Sequence, residues 1–304
     1  MEVCSHSHIQ INEWDYDPTR SITLRNNFSD KFSARLRQVR GMIREAIIDK
    51  DVFGFTVPLN QQVGRWQFNY PSDSEKIEKF KEWLDDLLSS ALIDLSVLSN
   101  TNSAWTNRYI DEAYRRGVQR ARSELQKAGI DAEELEDVDS RINLPDHGST
   151  VDNLRGRVIN ELDGVKNDIL HYVGRILLDS FSKNHGRERI LRRINIGLMQ
   201  GEEREDLGLT ELIGMFVAVE LRFDMIARTE IVRTINEAVL TEYEQWGIEE
   251  VGLDVEYQWL TAGDSKVCPI CRRKSAEGSY SLQEARGQIP AHVKCRCIWL
   301  PIKK

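Results

Sequence analysis

The chain has 304 residues, of which 40% are hydrophobic, and a formal net charge of −8. That length exceeds one minimal core and suits about two packed units. Whole-chain attraction to nucleic acid is disfavoured, because neutralising phosphates needs a surplus of Lys and Arg. No run approaches the roughly 20 apolar residues that cross a bilayer, and Met1 to Gln10 lacks an apolar signal core. The expectation is a folded protein with no membrane association that stays where it is made.

Asp17-Pro18 has the pattern of an N-cap followed by proline at the first helical position. Leu24, Phe28, Phe32, Leu36, Val39, Ile43 and Ile47 then recur every three or four residues, which predicts one long amphipathic helix closing near Gly54. Thr56 to Pro71 holds prolines and a glycine without a sustained period and reads as a connection. Ser72 and Glu75 have capping-box spacing ahead of Ile77, Phe80, Leu84, Leu88, Leu92 and Leu95, a second helix.

A third helix is expected from Ala104 to Ala128, where Gly117 and Ala121 permit close helix approach and Gly129 can end it. Asp131 to Val151 has little periodicity and is the expected boundary between helical units, with the break near residue 148. Beyond it Leu154, Val158, Leu162, Val165, Ile169, Val173, Ile176 and Phe181 approach a heptad seam that wants a helical partner. Arg187 to Gln200 and Thr210 to Trp246 read as helices around a turn, and Gly247 as a stop.

Only then does the period change. Val255, Tyr257 and Trp259 alternate with polar neighbours, and Cys297 to Ile302 reads as a second short strand, which Pro301 places at an edge. The fold class is therefore mainly α: a multi-helix body with a long amphipathic N-terminal helix, and a small C-terminal α+β module stapled by a metal. The expected division is 1–148, 149–252 and 253–304. From Tyr257 onward nine basic residues face three acids, so this end carries +6 and, with a total of −8, the rest carries −14.

Four of the five cysteines, Cys268, Cys271, Cys295 and Cys297, crowd together with His292, while Cys4 stands alone, which is not how a secreted disulfide framework distributes its bridges. Cys268-Pro-Ile-Cys271 and His292-Val-Lys-Cys295 both have knuckle spacing, in which two donors face one metal. Tetrahedral zinc, one per chain, is the natural occupant. The expected ligands are Cys268, Cys271, His292 and Cys295, with Cys297 as the alternative fourth. Four protein donors leave no open position for water, so the site reads as structural, and no catalytic residue is expected. A module of about fifty residues buries little core, so metal binding supplies folding free energy that packing cannot.

Ala227-Arg-Thr-Glu230, Asn236 with its helix to Gly247, Trp259-Leu-Thr-Ala-Gly-Asp264, Cys268-x-x-Cys271 and Pro290-x-His292-x-x-Cys295-Arg-Cys297 together resemble the Mu F-type head morphogenesis proteins of tailed phages. The resemblance covers roughly residues 187 to 302. Asp17-Pro-Thr-Arg20, Asp51-Val-Phe-Gly54 and Ala113-Tyr-Arg-Arg-Gly117 are similar to the helical region attached to that domain in some phage minor head proteins. The sequence departs from the family at Ala291 and Val293, where prolines are common, without losing a ligand. The resemblance implies a minor head protein in prohead assembly, at or near the portal inside the capsid, whose partners are portal, capsid or scaffold proteins.

The remaining residues point the same way. Arg228 and Glu230 share one helix and read as intramolecular ion pairs or a link to the module, and Asp264 as a turn residue bonding its own backbone. Cys4, His6 and His8 make a weak metal site on an unstructured terminus. His147, His171 and His185 lack catalytic spacing and are expected on the surface or a helix face. No small-molecule substrate is expected. The competing readings are a zinc-stapled factor that contacts packaged double-stranded DNA, and a zinc-scaffolded nucleic-acid enzyme, for which the module has no spare general base.

Overall fold

The computed structural model describes residues 17–55, 70, 72–93, 104–127, 137–196, 217–247 and 255–303. The expected connection over 56–69, the Cys4/His6/His8 cluster and the turn at 201–209 lie outside them. Among the described residues the protein is mainly helical: α1 (Ile22–Arg44), α2 (Asp73–Leu88), α3 (Asn107–Lys127), α4 (Val138–Ile142), α5 (Pro145–Ser182), α6 (Arg187–Ile196) and α7 (Val217–Gly247). Then follow β1 (Val255–Leu260), α8 (Pro269–Ala276), β2 (Ser279–Tyr280), α9 (Leu282–Ala285) and β3 (Ile298–Lys303). No helix among the described residues is long and apolar enough to cross a membrane.

The described residues fall into two compact units, one of 26–108 and 153–227, the other of 17–25, 109–152 and 228–303. In the first, the buried residues are those that recur at helical spacing: Phe28, Phe32, Leu36, Val39, Ile43, Phe80, Leu84, Leu88, Val158, Leu162, Val165 and Ile169. Its aromatics pack in two groups. Phe32 stacks on Phe223 with ring centroids 4.8 Å apart and meets Trp105 edge-on at 4.8 Å. Phe53 lies 5.1 Å from both Phe80 and Phe181. Both α1 and α2 end in a π turn, Glu45–Asp49 and Ser89–Ile93. The apolar spacing explains it, since the repeated four-residue step of Phe80, Leu84, Leu88 and Leu92 overshoots an α-helical turn and a wider turn brings Leu92 back to the core.

In the second unit, α3 and α7 approach so closely that a Cβ built on Gly117 would stand 2.6 Å from the Ala238 side chain and 2.6 Å from the Ile235 carbonyl oxygen. Only glycine fits there. The antiparallel sheet has the order β2-β1-β3, with Trp259 opposite Trp299 and Tyr257 opposite Tyr280, and Pro301 sits on an edge strand. Trp259, Trp299 and Tyr280 form a ring cluster, with Trp299 5.2 Å from Trp259 and 5.1 Å from Tyr280.

Two local features depart from the pattern expected of the sequence. Asp17 does not cap α1 directly: a turn closed by Arg20 N–H to the Asp17 carbonyl, with Arg20 at φ 51°, precedes the helix, which starts at Ile22. The Asp17 carboxylate instead accepts from Thr19, the Ser21 amide and, at 2.7 Å, the Arg25 guanidinium. The helix expected beyond Val151 begins at Pro145, because His147 and Val151 already face a buried core that polar neighbours hide in the sequence.

Candidate metal centre

The first knuckle is built at the start of α8, where Cys268 is the N-cap and Pro269 the first helical residue. The Cys271 amide donates to the Cys268 sulfur at 3.3 Å, bringing the two thiols onto one side of the turn. The second knuckle precedes β3, and its tight turn is made by Lys294 at φ 63° with the Cys295 amide donating to the His292 carbonyl.

Cys271 is the hub where the two meet. Its sulfur lies 3.1 Å from His292 Nε2 and 3.9 Å from the Cys295 sulfur. The donors form two groups that can hold a metal ion, Cys268 with Cys271 and His292, and Cys271 with Cys295 and Cys297. The donor atoms in each group lie within 4.8 Å of one another. Cys271 belongs to both groups, and no four of the five sequence-predicted donors lie within that distance of one another. A cavity of about 30 Å³ is lined by Cys268, Cys271, His292 and Cys297, while Cys295 is fully buried.

Contacts with the Cys271 and Cys297 thiols, and then with the amides of Cys297 and Ala291, push the Cys295 thiol well down from its ordinary value. The same contact with Cys295 pushes the Cys271 thiol up. Cys271 relieves Cys297, but Cys295 and burial outweigh it and raise that thiol to about 12. Nδ1 of His292 lies 2.8 Å from the Val293 carbonyl oxygen, which can only accept. That bond places the ring proton on Nδ1 and leaves the Nε2 lone pair facing Cys271.

Asp264 is a turn residue and more. Its Oδ1 accepts from the Lys266 amide at 3.0 Å, and both oxygens grip the Arg296 guanidinium at 2.6 and 2.7 Å. Arg296 therefore holds the Asp264 carboxyl below its ordinary range, and the fork ties the Cys295-Arg-Cys297 segment to the turn before the first knuckle. Glu230 is buried and pairs with Arg233 at 3.2 Å. Thr229, between Arg228 and Glu230, accepts from the Lys294 amide at 3.4 Å. Asn236 donates to the Cys297 carbonyl and accepts from the Trp299 amide. Helix α7 thus fastens both ends of the second knuckle.

Sequence reasoning missed one polar cluster. His147, expected at the surface or on a helix face, lies on α5 but is fully buried: Tyr114 Oη lies 2.9 Å from its Nδ1, Gln245 2.8 Å and Glu242 3.3 Å from its Nε2. Glu242 is itself fully buried and bonds Arg122 at 2.9 Å. Burial alone would raise its carboxyl, but His147, Arg122 and Arg141 outweigh it and hold the pKa below the ordinary value. No spacing rule links residues 120 positions apart, so no sequence signal announced this pair. His171 is exposed and His185 half-buried.

Comparison with known proteins agrees with this geometry. Residues 188–300 match the family described as Phage Mu protein F like protein, and the matched stretch contains α7, β1, β2, the first half of β3 and all five donors. No curated protein and no solved structure matches the chain. The family is one of phage head morphogenesis and not of enzymes. Over residues 188–300 this chain is therefore similar to the Phage Mu F-like proteins, a phage head-related family.

Proposed function

We propose that the chain is a minor head protein that acts in prohead assembly, bound at or near the portal inside the capsid, with a structural zinc in its C-terminal module. The observation that carries this reading is the convergence of both knuckles on Cys271 within the matched family region.

The donor set fits zinc. A tetrahedral zinc bound at about 2.3 Å by sulfur separates two sulfurs by about 3.8 Å, and Cys271 and Cys295 stand 3.9 Å apart. Three thiolates and a neutral imidazole leave a zinc centre with one net negative charge, and Lys266 and Lys294 line the same cavity and offset it. The ligands in this reading are Cys268, Cys271, His292 and Cys295, the last supported by amide donation to its sulfur. Cys297 is the alternative because it shares the cavity wall with the other three. With four places filled, the metal staples and does not hydrolyse.

A tagged chain recovered from infected cells is expected to bring portal or capsid subunits with it, and recovery with neither rejects the assembly role. Metal analysis is expected to find one zinc per chain, lost in Cys271→Ser and retained in whichever of Cys295→Ser and Cys297→Ser removes the spare thiol. A packaging factor that contacts double-stranded DNA is the second reading, favoured by the +6 of residues 257–304. Binding to duplex DNA that falls steeply with salt would favour it.

A further inference from the structure

We propose that the exposed edge of the Cys/His module docks onto the acidic surface of a second copy of this chain. Ile270 is 44% exposed and Val293 51% exposed, each adjacent to a donor, Cys271 and His292, whose sulfur and nitrogen are 3.1 Å apart. Two aliphatic side chains, each next in sequence to a donor, are therefore exposed to water. Around them Lys266, Arg272, Arg273 and Lys294 are exposed. The acids nearby are engaged inside the module: Asp264 grips Arg296, Glu277 accepts from Tyr280 and pairs with Arg273 at 3.7 Å, and Glu284 closes the capping box of α9.

A face that is both positive and apolar selects its occupant. Duplex DNA supplies negative charge but nothing to cover isoleucine and valine. An acidic protein surface meets both demands, and one is guaranteed, because outside residues 257–304 this chain carries −14. On α2 alone Asp73, Glu75, Glu78, Glu82 and Asp86 are exposed, against exposed Lys79 and Lys81. Charge complementarity of this kind sets the encounter rate and its salt dependence, while covered aliphatic side chains slow dissociation.

Sedimentation of the full chain across a concentration series tests the proposal at low and high salt. The expected result is a mass that rises above one chain with concentration and falls back with added salt. Ile270→Asp with Val293→Asp is expected to weaken association about tenfold or more, and Lys294→Glu to weaken it at low salt more than at high salt. Zinc content and circular dichroism of each variant are measured alongside, so that an unfolded module is recognised and replaced by the milder Val293→Ser. A chain that stays single at every concentration overturns the proposal, as does association unchanged in the variants. Loss of binding to a short random-sequence duplex in the same variants, without self-association in the parent, also overturns it. None of these outcomes depends on recovery of portal subunits.

Discussion

The aromatic core of residues 26–108 and 153–227 and the Cys/His module of residues 255–303 are specified in different ways. In the first, Phe28, Phe32, Phe80 and Phe181 fill volume, and any side chain of similar size and polarity at the same helical phase would do nearly as well. In the second, the turn conformations at Lys294, the sulfur of Cys271 and the fork between Asp264 and Arg296 are each fixed by one chemical group. Periodic information is distributed and tolerant. Ligand information is concentrated and brittle.

With zinc bound as proposed, its removal is the largest perturbation of that contrast. Zinc association with such donors is worth about 10–16 kcal/mol, so chelation at pH 7 is expected to unfold residues 255–303 while most helical circular dichroism survives. Hydrogen exchange resolved along the chain checks this, and simultaneous loss of protection throughout would break the contrast. Phe80→Ala is expected to cost about 3–5 kcal/mol in denaturant titration without changing metal content. Glu242→Gln is expected to cost a comparable 3–5 kcal/mol, because it leaves Arg122 in a buried site without its anion.

The same carboxylate gives a pH dependence. Its folded pKa lies below the ordinary 4.5. The stabilisation is therefore fully present above that value and is lost as pH falls through the folded pKa. Thermal melts between pH 7 and pH 3 should show the fall in the parent, and Glu242→Gln should flatten it. The smallest effect is expected from Gly117→Ala, which forces α3 and α7 apart where no room exists and costs about 1–3 kcal/mol. A neutral result there would show that the crossing is looser than its distances imply.

The helices were legible in the sequence because burial repeats with the helical period. Phe80, Leu84 and Leu88 could be placed from spacing alone, and the paired donors from their knuckle intervals. What stayed hidden lacks a local repeat. The π turn at Ser89–Ile93 arises from accumulated phase, β2 is two residues long, and Arg122 finds Glu242 only once the chain has folded. For Asp264 the sequence disclosed a turn but not Arg296, because a turn is written in neighbours and an ion pair is not.

Asn236 has a wider consequence. By donating to the Cys297 carbonyl and accepting from the Trp299 amide, its side chain offers β3 the pair of contacts that a neighbouring parallel strand would offer on either side of Ile298. β3 is an edge strand, and such edges invite another chain to extend the sheet. One amide on a helix thus seals the outer border of the sheet where it begins, and removes a route by which a second chain could extend it.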